Sequence, residues 1–187
     1  MPTLAHLIEG TAIPLDLPPP AAAAGAQPLP LDIPHQEQDW WCWCAIAVGV
    51  SAFYEGAFGL SQCEAAARIL RQPGACLAPD GPEVNVMHEL DLALDEFRHF
   101  RAPVIQGPLK FGAVQAEIDA GRPVGVRIRF MDSGIGHFTV IRGYRAGALR
   151  MLAIDDPLYD ESEVVYDHFV HRYRGTGVWR QTYLTQA

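Results

Sequence analysis

The sequence predicts an α+β fold, in which helices fill the first half of the domain and an antiparallel sheet fills the second. The 187 residues are 49% hydrophobic and 19% charged, as in a globular domain. Residues 42–120 hold four segments with helical patterning, and residues 124–184 hold five with strand patterning. Helices that precede the strands, instead of alternating with them, are typical of an α+β arrangement.

The helical half begins with a segment that we expect to be buried. Residues 42–57 are small or apolar at almost every position, and a helix that is apolar all round lies in a core. Ser61 and Glu64 have the spacing of a capping box, which predicts a second helix after them. An amphipathic third helix is predicted over residues 85–98, and a shorter fourth helix over residues 109–120.

The sheet half begins at residues 124–130, where Val, Ile and Phe alternate with Gly and Arg. Four further strands, with a short helix before the last, are predicted at residues 138–144, 149–154, 163–166 and 178–184.

A Pro/Ala-rich arm or linker is predicted at residues 1–30, ahead of a domain at residues 31–187. Residues 1–34 hold eight of the 15 prolines, and such a composition favours extended backbone. Because the arm leads directly into residues 36–42, we expect it to regulate access to the cleft beside those residues.

The charge distribution excludes several classes of protein. The net charge is −8, and residues 1–67 hold seven acids but no Lys or Arg, which disfavours a nucleic-acid partner. A Sec signal peptide needs a basic start, and none is visible. No run reaches the roughly 18 apolar residues of a membrane span.

The four cysteines do not have the spacing of a metal site. Cys42 and Cys44 are separated by one residue, and Cys63 and Cys76 lie 13 apart, whereas zinc sites use CxxC-type pairs. We therefore expect no metal and no cofactor. Cys42 lies where a turn-like acidic segment enters the first helix, and the amide groups of a helix N-terminus favour a thiolate.

Partners for a nucleophilic Cys42 are present further along the chain. His137 follows a glycine loop at the start of an apolar strand, where it is a candidate base. The next strand ends at Asp155 and Asp156, and either carboxylate could orient the His137 ring across a hairpin. The side chain of Gln36 is a candidate oxyanion donor together with the Cys42 N–H, and Gln38 is the alternative in another register of the turn.

These residues occur in three blocks that resemble papain-like cysteine proteases. Gln36 with Trp41-Cys42-Trp43, then Gly136-His137, then Asp156-Pro157, match the order of the family, and the resemblance covers about residues 31–184. It is closest to the short bacterial type, the AvrRpt2-like peptidases, which are related to the staphopain-like and C39-like groups. Cys44 stands where the resembling proteins usually have Ala.

The resemblance implies a papain-like fold, with an N-terminal helical lobe that carries the nucleophile helix and packs on a C-terminal antiparallel half-barrel. It implies a thiol endopeptidase with Cys42 as nucleophile, His137 as base, Asp156 as its orienting acid (Asp155 as the alternative) and Gln36 in the oxyanion hole. The expected groove residues are Trp41, Trp43 and Gly136.

The same resemblance implies a protein or peptide substrate, a cognate inhibitor or immunity protein, and a bacterial effector, toxin or processing protease. Delivery outside the cell by a route other than Sec, or a cytoplasmic location, are both compatible with the sequence. Cys63 and Cys76 lie on either side of a turn at Pro73-Gly74, and a disulfide and two free thiols are equally compatible with this spacing.

Two other functions remain open at this point. A Cys-His-Asp set also serves deamidation or transglutaminase-like acyl transfer on Gln side chains, which would suit a toxin. A papain-like domain that has lost catalysis would be a binding module.

Overall fold

A computed structural model describes residues 28–56 and 59–187 of the chain. It confirms the predicted α+β fold, with helices first and an antiparallel sheet after them. The first 27 residues, most of the predicted arm, lie outside the described residues. None of the helices in the described part has the length and hydrophobicity that a membrane span requires.

The helical lobe holds three helices, which pack against one another. Helix α1 is Cys42–Glu55, α2 is Gln62–Ile69 and α3 is Leu90–Glu96. The predicted capping box opens α2: Ser61 accepts from the Glu64 amide, and the Glu64 carboxylate accepts from the Ser61 amide.

The prediction of a helix over residues 85–98 is wrong at its N-terminal end. Helix α3 begins at Leu90, and two backbone carbonyls just before it are occupied by side chains. The Val84 carbonyl accepts from the Trp41 indole, and the Val86 carbonyl accepts from the Trp43 indole, each at 2.9 Å. Tertiary hydrogen bonds therefore hold residues 84–86 in turns instead of a helix, although the apolar spacing of the segment is helical.

The second half of the chain forms a six-stranded sheet in which every neighbouring pair is antiparallel. Its strands follow the spatial order β1-β6-β2-β3-β4-β5. The strands are β1 (Phe100–Gln106), β2 (Val124–Phe130), β3 (Gly136–Arg145), β4 (Met151–Asp155), β5 (Ser162–Val165) and β6 (Gly177–Thr185), with α4 (Phe111–Asp119) and α5 (Tyr166–Arg172) between them.

Strand β1 was not predicted from the sequence. It contains Pro103, which cannot donate to a ladder, and it lies at the edge of the sheet beside β6. An edge strand with one paired side needs little hydrophobic alternation, so its sequence carries no strong strand signal.

The described residues form two hydrophobic cores, of which the first joins the helical half to the sheet. One lies between α1, α3 and one face of the sheet, and it includes Trp41, Trp43 and Phe138. The other lies between the opposite face of the sheet, α4 and α5, and it includes Ile128 and Trp179. Alternate residues of β2 point into the second core, so its arginines, Arg127 and Arg129, point to the other face of the sheet.

A strap of residues 28–36 ties the two halves together before α1 begins. The Leu29 amide donates to the Arg142 carbonyl at 2.7 Å, and the Gln36 amide donates to the Pro157 carbonyl at 2.8 Å. Between these bonds the Ile33 amide donates to Asp155 Oδ2 at 2.9 Å. Leu29 thus already contacts the sheet two residues before the predicted start of the domain.

Candidate active site

Cys42 is the first residue of α1 and lines a cleft between the helical lobe and the sheet. As the first helical residue, it has a backbone N–H that no preceding carbonyl of the helix can accept. Trp41 precedes it without a side-chain cap, and the first turn carries no acid. The thiol therefore lies at the positive end of a 14-residue helix.

The cleft has a volume of about 550 Å³. The turn before α1 and the helix itself form one wall, and the β2–β3 loop forms the other with residues from the β4–β5 and α5–β6 loops. Its lining residues are Gln36, Asp39, Trp40, Cys42, Phe130, Asp132, Ser133, Ile135, Gly136, His137, Leu158, Tyr159, Arg174 and Thr176.

The structure brings Cys42, His137 and Asp156 together in one row. His137, at the second position of β3, has its Nε2 2.8 Å from Asp156 Oδ1. This contact leaves Nδ1 free of the carboxylate, and Cys42 lines the same cleft as the ring and raises its pKa. A thiol, an imidazole and a carboxylate in this order can pass one proton between sulfur and ring while the carboxylate fixes the ring.

The charge state of His137 depends on both of its neighbours. Burial lowers the pKa of the ring, but the Asp156 carboxylate and Cys42 outweigh burial and raise the pKa of His137 to about 9. The ring is therefore held as an imidazolium at neutral pH, next to a sulfur that can carry the opposite charge.

Asp156 is fully enclosed and satisfied by four hydrogen bonds. Besides His137, its Oδ1 accepts from the Leu158 and Tyr159 amides at 2.9 and 3.1 Å. Its Oδ2 accepts from the Tyr173 hydroxyl at 2.7 Å. Burial raises the pKa of Asp156, but the hydrogen bond and charge of His137, with the bonds from the Leu158 amide and the Tyr173 hydroxyl, outweigh burial and lower it, so the group stays a carboxylate.

Asp155, the alternative orienting acid, does not contact His137. Successive residues of a strand point to opposite faces, and Asp155 is directed to the strap, where it accepts from the Ile33 amide. Burial raises its pKa to about 6, with Asp32 and Glu161 adding to the effect and Arg142 opposing it.

Gln36 lies in the wall of the cleft near Cys42, whereas Gln38 is not among the lining residues. Gln36 Nε2 lies within 2.9 Å of the Gln38 carbonyl and 2.8 Å of the Asp39 carbonyl. Its Oε1 has no hydrogen-bond partner in the described part of the chain. These two contacts hold the amide against the turn, and an oxyanion in the cleft would compete with them for an Nε2 proton.

The prediction that Trp41 and Trp43 line the substrate groove is wrong. Both side chains are fully buried in the first core, and their indole N–H groups donate to the Val84 and Val86 carbonyls. Among the tryptophans before and in α1, Trp40 is the one that lines the cleft. Gly136, the third predicted groove residue, does line it.

The other cysteines lie away from the cleft. Cys44 is buried and donates to the Gln62 carbonyl at 3.1 Å, and burial raises the pKa of its thiol far above the ordinary range. Cys63 and Cys76 are joined by a disulfide that links α2 to the turns that follow it. Within the described residues, no cluster of His, Cys, Asp and Glu is arranged to hold a metal ion.

Several residues in and behind the cleft have no signal in the sequence. Tyr173 comes 17 residues after Asp156, in a polar stretch, and only the fold brings its hydroxyl to the carboxylate. Tyr159 packs edge-on against the His137 ring, with ring centroids 6.0 Å apart, and Arg174 stacks over Tyr159. The position of Tyr159 three residues after Asp156 is the single local hint among these.

Comparison with known proteins gives a family for this arrangement. The model of the Peptidase_C39-like family matches residues 30–185. No curated protein matches the chain. The crystal structure of the Pseudomonas avirulence protein AvrPphB is similar at a TM-score of 0.34 and 10% identity, over 79% of this chain and 87% of that one.

Proposed function

The chain belongs to the Peptidase_C39-like family, and from this premise we propose that it is a cysteine endopeptidase that cleaves peptide bonds through a thioacyl-enzyme. One observation carries the proposal: Cys42, His137 and Asp156 meet in a row at the floor of an open cleft. The AvrRpt2-like subtype, delivery as an effector or toxin, and a cognate inhibitor stay predictions from the resemblance.

In the first step, Cys42 Sγ attacks the carbonyl carbon of the scissile bond. His137 already holds the proton of the Cys42 thiol before the attack, and the carbonyl oxygen becomes an oxyanion near the Cys42 N–H and Gln36 Nε2. His137 then donates its proton to the leaving nitrogen, the C–N bond breaks, and the acyl group stays on sulfur.

In the second step, water attacks the thioester while His137 accepts a proton from it. Collapse of this intermediate breaks the C–S bond, releases the acid and leaves the proton on His137, which restores the starting state of the pair. Asp156 keeps Nε2 of His137 protonated and its ring oriented towards Cys42 in both steps.

Labelling with an epoxide inhibitor such as E-64 tests the nucleophile, because the chain offers a matched control thiol. We expect the inhibitor to modify Cys42 in the wild type, as read by intact mass and peptide mapping. The Cys44→Ala variant should be labelled equally, because the Cys44 thiol is buried and held protonated. Failure to label folded protein would contradict the proposal and favour a binding module.

Cleavage of an internally quenched peptide library tests the reaction. We expect cleavage by the wild type and a loss of at least about 10³-fold in Cys42→Ala or His137→Ala. Release of ammonia from Gln-containing peptides without chain cleavage would instead establish a deamidase, and Gln–amine cross-linking would establish an acyl transferase.

A further inference from the structure

A second cavity, of about 750 Å³, continues the cleft beyond Gly136, which lines both. Arg127 and Arg129 of β2 and Arg180 of β6 line it, with His171 of α5 at its edge. In the part of the chain that the structure describes, no Asp or Glu is among its lining residues.

This concentration of positive charge is unusual for the chain. The protein carries a net charge of −8 and 14 Lys and Arg in all, three of which meet in this one cavity. The cleft beside it is mixed, because Asp39, Asp132 and Arg174 line it together. A field of one sign in a concave surface attracts ligands of the opposite sign.

Arg127 is held in place by neighbours on the lobe and the sheet. Its Nη1 lies 3.4 Å from Glu89 Oε2 and 3.1 Å from Gln181 Oε1, and its guanidinium lies over the Phe138 ring. A β-carbon on Gly136 would lie 3.3 Å from Arg127 Nε, so the lack of a side chain at 136 leaves space beside this guanidinium. Arg127 is therefore a fixed part of the wall.

Arg129 and Arg180, in contrast, have no acidic partner among the described residues. The side chain of Arg129 makes no ion pair or hydrogen bond there, and the side chain of Arg180 reaches only the Met131 sulfur, at 3.8 Å. Arg145 of β3, by comparison, forms an ion pair with Glu163 of β5 at 2.9 Å. Two exposed guanidiniums thus present their donors to the cavity without competition.

The placement of Arg180 follows from an irregularity of the sheet. Arg127 pairs with Gln181 and Ile128 with Trp179, so Arg180 is an extra residue on β6 opposite a single step of β2. Such bulges redirect side chains and often lie next to active sites. The bulge places Arg180 in the lining of the cavity that Arg127 and Arg129 also line.

We infer that this basic cavity is a substrate subsite, which binds the carboxylate of an Asp or Glu side chain in a peptide that lies in the cleft. Arg129 and Arg180 are the residues that determine this specificity, since a guanidinium binds a carboxylate with two parallel hydrogen bonds. The inference rests on the proposed function. Because Gly136 is next to His137 and extended peptide advances ~3.3 Å per residue, the acidic residue lies within a few positions of the scissile bond.

The test is an internally quenched peptide library with Glu or Gln at each position from four residues before to four after the scissile bond. We expect the wild type to cleave Glu peptides faster than Gln peptides at one or two positions. Arg129→Gln and Arg180→Gln should each lower this Glu/Gln ratio of kcat/KM by about 3- to 5-fold, and added NaCl should lower it in the wild type.

Arg145→Gln is the matched control, because it removes the same charge from an exposed arginine on the sheet that does not line the cavity. It should leave the Glu/Gln ratio unchanged. Equal cleavage of Glu and Gln peptides at every position, or a ratio that the Arg129 and Arg180 variants do not change, would overturn the inference and leave the protease proposal intact.

A binding measurement separates the two proposals further. Fluorescence anisotropy of the same labelled Glu and Gln peptides with the Cys42→Ala protein needs no turnover. Tighter binding of the Glu peptide, lost in Cys42→Ala/Arg129→Gln/Arg180→Gln, supports the subsite. Equal affinity for both peptides overturns it, whereas absence of cleavage by the wild type counts against the proposed function alone.

Discussion

Asp155 and Asp156 are neighbours in the chain, but their protons are governed by different partners. Asp156 lies among donors, so it stays charged, and it raises the pKa of His137 to about 9. Asp155 has one amide donor, and burial raises its own pKa to about 6. The two carboxylates should therefore affect activity and stability separately.

Asp156→Asn should move the alkaline limit of activity. In the wild type, kcat/KM should fall as pH rises through about 9, where His137 loses the proton that it donates to the leaving group. An Asn removes the negative charge, so the limit should move towards the ordinary His value of 6.5. The measurement is the pH profile of kcat/KM on one peptide.

The control for this profile is Asp155→Asn, which changes the adjacent carboxylate but does not touch the ring. Its alkaline limit should stay where the wild type has it. If Asp156→Asn also leaves the limit unchanged, the charge of Asp156 does not set the protonation of His137.

Asp155→Asn should instead change stability with pH. Because the folded pKa is raised, the favourable contribution of this group is fully present below its unfolded pKa of about 3.9 and is lost as pH rises through about 6. Asn carries no charge but can still accept from the Ile33 amide. We therefore expect the unfolding free energy of Asp155→Asn to fall by about 1–2 kcal/mol less than that of the wild type as pH rises, after allowance for solvent screening.

Urea unfolding of wild type and Asp155→Asn at several pH values between 4 and 8 measures this difference. The variant should be relatively more stable at pH 8 than at pH 4. Asp155→Ala is the control, because it leaves the Ile33 amide without an acceptor and should be destabilised across the whole range. Parallel curves for wild type and Asp155→Asn would refute the assignment.

At the scale of elements, the order of helices and strands was readable because each has its own hydrophobic period. The segment from residue 42 is small or apolar at almost every position and forms α1, which is buried over residues 42–50, and the alternation over residues 124–130 gives the strand β2. The start of α3 was not readable, because two indole groups from α1 take carbonyls that lie 43 residues away. Patterns within one segment cannot report such bonds.

The candidate site follows the same division. The sequence around each of the three site residues predicts where it lies: Cys42 at a helix start, His137 at a strand start and Asp156 at a strand end. The direction of a side chain depends instead on the register of packing, which is why Trp40, and not Trp41 or Trp43, lines the cleft. The basic cavity depends on the bulge at Arg180 and on strand order, neither of which a single sequence shows.

The contact between the strap and α1 is tight, and it positions Gln36. A β-carbon on Gly49 would lie 2.9 Å from the Asp32 carbonyl and 2.6 Å from the Ile33 side chain. We expect Gly49→Ala to push the strap outwards, to cost about 1–3 kcal/mol, and to lower kcat/KM through displacement of Gln36. Thermal unfolding and peptide cleavage measure the two effects.

Gly112→Ala, in α4, is the matched control for Gly49→Ala. No atom lies within 4 Å of its added β-carbon, so the substitution should be neutral or stabilise by up to about 1 kcal/mol, with unchanged activity. Equal effects of the two substitutions would show that the strap contact has no special constraint.

At the scale of the whole molecule, the cysteines divide into a reduced pair and an oxidised pair. Cys42 and Cys44 are free and buried at the start of α1, and Cys63 and Cys76 form a bridge that does not line the cleft. A thiol nucleophile needs reducing conditions to stay active, whereas the bridge needs oxidising conditions to persist. The oxidised pair Cys63–Cys76 should therefore stabilise the fold, whereas the proposed catalysis depends on Cys42 staying reduced.

Reduction of the bridge should lower stability without lowering reactivity at Cys42. A bridge that spans 13 residues is expected to contribute about 3 kcal/mol by restricting the unfolded chain. With dithiothreitol, the wild type should lose about that much in urea unfolding, and Cys63→Ser/Cys76→Ser should not change. The rate of epoxide labelling at Cys42 should be the same in both proteins at 25 °C. Four titratable thiols, instead of two, in denatured but unreduced wild type would contradict the bridge, and slower labelling of the double variant would show that the bridge also shapes the cleft.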